Sequence, residues 1–182
     1  MGQIRVHEFI SLDGVIDEPT WTADFGFDPK MGEAIGSLTG GCDGVLLGRT
    51  TYQMFEPTWS KLTAEQDPGA PFFNDTMKYV VTSTLQAGTW ANSEIVGPYD
   101  AKRIQRLKDE TAEGLYVSGS ATLVHALLAD ELVDEFHLFV YPVTRPSGPR
   151  LFEAGMAGSR WKRVNGEFYD NGVFYLHLAK ES

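Results

Sequence analysis

The chain has 182 residues, of which 42% are hydrophobic and 12% aromatic, and its formal net charge is −10. This length and apolar content predict a single domain, residues 1–182, with a substantial core. The negative charge argues against a nucleic-acid binder, because phosphates need a positive field, and no apolar run is long enough to indicate a membrane partner.

The first half of the chain predicts strands and helices in alternation around one long loop. The loop runs from Asp13 to about Pro29 and carries several aromatic residues, which is typical of a lid or a binding loop. In chain order we expect a strand at 3–12, a helix at 31–38, a strand at 45–47, a helix at 50–55 and a strand at 78–82.

The second half continues the alternation and then changes character. We expect a helix at 100–111, a strand at 115–118, a helix at 121–129, a long strand at 133–143, and two extended runs at 161–169 and 173–179. Asp170, Asn171 and Gly172 separate the last two runs, as in a hairpin turn. The order of elements predicts an α/β fold with a mixed sheet that is mostly parallel and has an antiparallel C-terminal hairpin.

Two junctions between a strand and a helix carry residues suited to binding phosphate. Their residues are Gly48, Arg49, Thr50 and Thr51 at one junction and Ser118, Gly119, Ser120 and Ala121 at the other. Backbone N–H groups at a helix start attract anions, and small side chains allow close approach. An ordinary helix cap, or close packing of a helix on a strand, explains the same residues. Two such junctions in one short chain favour a ligand with several phosphates, and a dinucleotide is the natural candidate.

Other classes of site lack their sequence patterns. The second junction does not have the G-x-G-x-x-G spacing, which argues against a Rossmann domain. The four histidines show no paired spacing and no neighbouring cysteine cluster, so we expect no metal site. No G-x-S-x-G elbow is present, which argues against a serine hydrolase. The single cysteine, Cys42, and the lack of a secretory signal pattern predict a cytoplasmic protein.

Five short motifs follow one another along nearly the whole chain, at Ser11–Gly14, Leu47–Tyr52, Val81–Thr84, Val117–Ser120 and Leu132–Glu135. In this order they resemble the dihydrofolate reductase-like superfamily, and more closely the branch related to the C-terminal reductase domain of bifunctional riboflavin biosynthesis proteins. The resemblance implies a three-layer fold with NADPH across the carboxyl ends of the parallel strands. It implies hydride transfer to a heterocycle or sugar imine, similar to that of 5-amino-6-(5-phosphoribosylamino)uracil reductase in a deaminase-reductase.

The resemblance also implies roles for individual residues. Those expected to bind NADPH are Ile16, Gly48, Arg49, Thr50, Thr51, Thr82, Ser83, Gly119, Ser120, Ala121, Thr122 and Leu123. Residues 49–51 would face phosphates on the adenosine side, residues 82–83 the ribose with its 2′-phosphate, and residues 119–123 the pyrophosphate. Trp21 and Tyr52 would lie near the substrate, and Asp13 and Glu33 are the candidate catalytic carboxylates.

Two alternatives stay open beside an NADPH-dependent reductase of a small molecule. A true dihydrofolate reductase needs a carboxylate on the first helix, where Glu33 is the available residue. A non-catalytic nucleotide-binding module would keep the cleft without turnover. The chain departs from the family pattern at Ser120 and Pro146, where glycines are usual. The long strand and hairpin would leave apolar edges, so we expect a homodimer.

Overall fold

Eight strands form one sheet in the part of the chain that the structure, a computed structural model, describes, which is residues 2–16 and 19–181. They are β1 Gln3–Ser11, β2 Gly44–Gly48, β3 Met77–Val81, β4 Ser93–Gly97, β5 Gly114–Ser118, β6 Glu135–Tyr141, β7 Trp161–Phe168 and β8 Phe174–Lys180. The sequence predicts all of these except β4. That short strand fully buries only Val96, so it has little apolar pattern to read.

Helices cover both faces of the sheet. They are α1 Pro29–Gly40, α2 Arg49–Trp59, α3 Ala70–Asp75, α4 Ala101–Glu110 and α5 Ala121–Ala129, with a short 3-10 helix at Thr20–Phe25 inside the long loop. The sequence does not predict α3, because six residues are too few to show a helical period. Among the described helices, none combines the length and the apolar character needed to cross a bilayer.

The strand order is β4-β3-β2-β5-β1-β6-β8-β7. Neighbours from β4 to β6 pair in parallel, whereas β8 is antiparallel to both β6 and β7. This arrangement confirms the predicted fold class. The carboxyl ends of the parallel strands therefore meet at one edge of the sheet, called the carboxyl rim below.

The sheet is the middle of three layers, and successive residues of β1 point to opposite faces. On one face, Val6 packs in a core cluster with Ile104 of α4 and Val124 of α5. On the other face, Phe139 of β6 packs with Met31 of α1. The central strands β2, β5 and β6 are buried almost throughout, since helices cover them on both sides.

The C-terminal hairpin turns where the sequence predicts it. Gly172 adopts a φ of 87°, which favours glycine, and Tyr169 N–H donates a hydrogen bond to the Val173 carbonyl. The outer strand β7 forms one edge of the sheet and leaves Phe168 85% exposed and Val164 52% exposed. This end of the sheet presents apolar surface to solvent.

Candidate functional site

The carboxyl rim carries the predicted site segments in one spatial row. The strand order places the end of β3 with Thr82 first, then the end of β2 with Gly48, then the end of β5 with Gly119, and then the end of β1 with Ser11. Ligands of open α/β sheets settle along this kind of edge. The four turns therefore follow one another along a single edge of the sheet.

Direct hydrogen bonds join the two strand–helix junctions that carry the residues suited to phosphate, Gly48–Thr51 and Ser118–Ala121. They are called the phosphate-type junctions below. Gly48 N–H donates to Ser120 Oγ at 3.0 Å, and Ser120 Oγ donates to Thr51 Oγ1 at 2.6 Å. A Cβ atom added at Gly48 would lie 3.0 Å from Ser120 Oγ, so a side chain there would press on the serine that joins the two turns. The starts of α2 and α5 are thus held together at the same rim.

Ser120 occupies a backbone conformation that normally favours glycine. Gly119 and Ser120 have φ values of 60° and 58°, both in the left-handed region. This conformation costs a non-glycine residue roughly 1–2 kcal/mol. The two hydrogen bonds of the Ser120 hydroxyl offset that cost, which explains how a serine stands where a second glycine is usual. The turn directs the first N–H groups of α5 towards the rim, and a helix start leaves these groups without intrahelical partners.

Arg49 reaches from the start of α2 across the end of β3. Its guanidinium Nη1 donates to Thr84 Oγ1 at 3.0 Å. Thr82 Oγ1 accepts from the backbone N–H groups of Thr84 and Leu85 at 3.2 and 3.3 Å. The cation therefore stands beside the β3 turn that contains Thr82 and Ser83, on the side of the rim predicted to face the adenosine half.

Asp13 joins the turn after β1 to the segment that follows β6. Its Oδ1 accepts from Ser11 Oγ at 2.7 Å and from Arg145 N–H at 3.0 Å, and its Oδ2 accepts from Arg150 Nη2 at 3.2 Å. The Ser11 and Arg145 bonds lower the pKa of Asp13. These contacts hold the Asp13 carboxylate between the two segments, and its catalytic role stays a prediction.

Two other residues predicted near the nicotinamide and the substrate are buried behind the rim. Ile16 is 3% exposed, and its N–H donates to the Pro149 carbonyl at 3.1 Å. Trp21 is 5% exposed and packs edge-on against Tyr141 at 5.3 Å between ring centroids. Trp21 Nε1 has no acceptor among the described residues. Ile16 packs in the core cluster of Val6, and Trp21 packs in the cluster of Phe139 on the other face of the sheet.

Tyr52 and Glu33 lie away from the carboxyl rim. Tyr52 is 2% exposed, and its hydroxyl accepts from the N–H groups of Thr89 and Trp90, so it packs in the core between α2 and β4. Glu33 lines a different groove, of about 410 Å³, together with Arg5 and His177. This cavity, called the lower groove below, lies between α1 and the amino-terminal part of β6. Neither residue joins the rim site.

Glu8 is a rim residue that the sequence does not reveal. It lies on β1 opposite the Gly119 turn, is 2% exposed, and accepts a hydrogen bond from Gly119 N–H. Its Oε1 has no partner among the described residues, and burial raises its pKa well above the ordinary value. The only signal in the sequence that could have identified Glu8 is a carboxylate inside an otherwise apolar strand, between Val6 and Ile10.

Replacing Glu8 with glutamine should change how stability depends on pH. The raised pKa means that the folded protein keeps a proton that the unfolded chain loses above its ordinary pKa of about 4.5. Wild-type stability therefore falls as pH rises through that range, because the folded state binds more protons. Glu8→Gln never ionises, so chemical denaturation should show the difference in stability between variant and wild type moving in favour of the variant as pH rises above about 4.5. Glu113→Gln, at an exposed position, is the control; parallel pH curves for Glu8→Gln and wild type would refute a buried neutral carboxyl.

Comparison with known proteins identifies similar chains over most of this length. A family model of the RibD C-terminal domain matches residues 3–175. Two curated proteins of Bacillus subtilis (strain 168) are similar. The uncharacterized protein YwjB is 28% identical over 145 residues, and the match covers 79% of this chain and 78% of the length of YwjB. The uncharacterized protein YyaP is 25% identical over 178 residues, and the match covers 92% of this chain and 89% of the length of YyaP.

Solved structures share the fold. A putative riboflavin biosynthesis protein from Shewanella sp. PV-4 superimposes with a TM-score of 0.79 at 18% identity, covering 99% of both chains. A diaminohydroxyphosphoribosylaminopyrimidine deaminase/5-amino-6-(5-phosphoribosylamino)uracil reductase from Thermotoga maritima gives a TM-score of 0.69 at 16% identity, covering 99% of this chain and 57% of its own. The fold of these structures is the mixed sheet described above.

Proposed function

Because the chain belongs to the RibD C-terminal domain family, whose members are riboflavin-biosynthesis-type reductase domains, we propose that it is an NADPH-dependent reductase. Its substrate would be a small heterocycle or sugar imine. The observation that carries the proposal is the row of turns along the carboxyl rim, in which the two phosphate-type junctions touch through Ser120. A ligand with phosphates in its middle and a ring at each end matches such a row.

The groups along the rim fit the parts of a dinucleotide phosphate. Arg49 supplies a guanidinium beside Thr82, which suits a phosphate on the adenosine ribose. The start of α5, directly after the Gly119 turn, supplies N–H donors for the pyrophosphate. The segment from Ser11 to Ile16 borders the reactive ring. NADPH would supply the hydride, and the chain's residues would bind it, orient it and exclude water.

The substrate end of the rim carries cations that are already organised. Arg150 Nε donates to the Asp13 carbonyl at 3.0 Å, and its Nη2 donates to the Asp13 carboxylate. The Arg150 side chain remains 45% exposed, so it keeps surface for a substrate anion. Arg145 follows β6 on the same side. These two arginines support a substrate of the phosphoribosylaminouracil kind.

The position of Glu33 favours this activity over folate reduction. A dihydrofolate reductase needs a carboxylate on the first helix that reaches the reduced ring. Here Glu33 faces the lower groove with Arg5 and His177, away from the rim. Folate chemistry would therefore lack its carboxylate.

Removing the guanidinium of Arg49 should weaken NADPH binding more than NADH binding. A hydrogen bond to a charged group contributes about 1.5–3 kcal/mol, so calorimetry should give an NADPH Kd raised by roughly 10- to 100-fold in Arg49→Ala. The NADH Kd should change much less, since NADH has no 2′-phosphate. Arg160→Ala, which removes an exposed arginine paired with Glu181 at the opposite end of the sheet, should bind both as wild type does. Equal losses for the two cofactors would assign Arg49 to the pyrophosphate instead.

We also propose that the protein acts as a homodimer, since β7 leaves Val164 and Phe168 exposed at the sheet edge. Edge strands with exposed apolar residues tend to be covered by a partner. Sedimentation at micromolar concentration should show a dimer, and Phe168→Lys should shift it towards monomer. A wild-type monomer under these conditions would rule out the dimer.

A further inference from the structure

The lower groove contains a cluster of metal-ligating side chains that the rim site does not use. Glu135 Oε2 lies 3.3 Å from His137 Nε2 and 3.3 Å from His177 Nε2. All three ligand atoms lie within 4.8 Å of one another. The side chains are 15%, 7% and 19% exposed, respectively, so the cluster is largely shielded from bulk water. It lies about 13–20 Å from the carboxyl rim, given a rise of ~3.3 Å per residue along β1 from His7 and Arg5, the partners of His137 and Glu135, to Ser11.

Strand pairing fixes the positions of the three residues. His137 and His177 are direct partners on the antiparallel strands β6 and β8, and Glu135 precedes His137 by two residues on the same face of β6. A shift of one residue in register would send either histidine to the opposite face. The backbone thus holds the ligands together without any side chain having to reach across a loop.

Two of the three separations between ligand atoms are close to those around a coordinated ion. Zinc binds imidazole nitrogen and carboxylate oxygen at ~2.0–2.2 Å, so neighbouring ligand atoms in a tetrahedral site stand about 3.4 Å apart. The separations of 3.3 Å from Glu135 to each histidine fall at this value.

The histidines also have the surroundings of metal ligands. His137 Nδ1 lies 2.7 Å from the Tyr175 hydroxyl, a second contact that orients the ring as outer partners of metal-bound histidines do. His177 Nε2 is buried and has no hydrogen-bond partner among the described residues. An unpartnered buried nitrogen of this kind is costly unless something binds it.

The charges of the lower groove favour a cation. Glu135 places a carboxylate oxygen within 3.3 Å of both imidazole nitrogens. Glu33 and Glu167 add negative charge on the wall, against Lys30 and Arg5. Arg5 Nε donates to Glu135 Oε2 at 3.1 Å, so an ion would share this carboxylate with the guanidinium.

We propose that Glu135, His137 and His177 bind one divalent transition-metal ion, with its open coordination position towards the lower groove. Two imidazoles and one carboxylate suit zinc, cobalt, nickel or copper, whereas magnesium and calcium prefer oxygen ligands. The two rings now stack at 4.1 Å between centroids with their planes 23° apart. Binding would require the His177 ring to turn about its χ2 angle, so that both nitrogen lone pairs face the ion, while the Tyr175 contact keeps the His137 ring in place.

The test is a titration of the full-length protein with Co²⁺ alone, followed by visible absorption and by competition with Zn²⁺. We expect one equivalent to bind with the strong absorption of a cobalt ion in a site of low coordination number. His177→Ala should weaken binding by at least 100-fold, and Glu135→Gln should weaken it as well. His125→Ala is the matched control, because this histidine lies on α5 and contacts the Arg150 carbonyl instead. Circular dichroism and thermal midpoints establish that each variant is folded.

Two results would overturn the assignment. One is the absence of a cobalt spectrum at millimolar Co²⁺, and the other is equal binding by folded His177→Ala and wild type. If His177→Ala does not fold, anomalous diffraction from a zinc-soaked crystal of the wild-type protein tests the site instead. A zinc ion in the lower groove would support the site, and zinc bound only elsewhere, or not at all, would refute it. NADPH affinity is measured in a separate experiment, so the metal site can be refuted without refuting the proposed reductase activity, and the reverse.

Discussion

Replacing Thr122 with aspartate should abolish NADPH binding while leaving the fold intact. Thr122 is an exposed residue in the first turn of α5, directly after the Gly119 turn. A carboxylate there would stand near the proposed pyrophosphate. At about 5 Å and an effective dielectric constant of about 20, two unit charges repel by roughly 3 kcal/mol, which corresponds to at least a 100-fold loss of affinity.

The stability of the Thr122→Asp variant should move in the opposite direction. An acidic residue near a helix start interacts favourably with the helix dipole, by about 0.3–1 kcal/mol. A thermal midpoint equal to or slightly above wild type is therefore expected. Calorimetry with NADPH measures the affinity, and Thr122→Asn, which has the same size without the charge, should retain most of it. Unchanged NADPH affinity in Thr122→Asp would mean that no phosphate approaches the start of α5.

Removing Asp134 should cause a large loss of stability. Asp134 Oδ2 accepts from Ile4 N–H at 2.7 Å, and its Oδ1 accepts from Lys108 Nζ at 2.8 Å. The Lys108 side chain is only 8% exposed. In Asp134→Ala the lysine is left buried without its counter-charge, and breaking such a pair costs about 3–5 kcal/mol. The thermal midpoint should fall by roughly 6–15 °C for a chain of this size.

A second substitution distinguishes the cost of leaving Lys108 charged and buried from the cost of losing the other contacts of Asp134. Lys108→Met alone should cost much less, because Asp134 is 28% exposed, stays solvated and still accepts from Ile4 N–H. The double variant Asp134→Ala with Lys108→Met should be more stable than Asp134→Ala alone. Denaturant midpoints of all four proteins complete the cycle. Simple addition of the two single losses would show that the buried charge is not the cause.

The rim site was predictable in its parts because it depends on local sequence. A glycine at the end of a buried strand followed by polar residues at a helix start is visible without any tertiary information, and Gly48 and Gly119 both fit that pattern. The contact of Gly48 with Ser120 was not visible, because it joins residues far apart in the chain. That contact makes one site of two separate turns.

Three predicted site residues have positions that local sequence does not show. Trp21 and Tyr52 are aromatic residues near the right motifs, yet both are at most 5% exposed, because the folded chain has used them to fill its core. Glu33 belongs to the first helix as expected, but its position on that helix directs it to the lower groove. The direction of a side chain on a helix depends on how that helix packs.

The sequence by itself determined the fold class, the hairpin and the two phosphate-type turns, since periodicity, strand order along the chain and turn residues are local properties. Only the tertiary structure decided which distant residues lie next to one another. The pairing of β6 with β8 brings His137 next to His177, although no sequence spacing relates them. The pairing of β1 with β5 sets Glu8 beneath the Gly119 turn. Register between strands is a long-range choice, made by burying the apolar faces of the whole sheet at once.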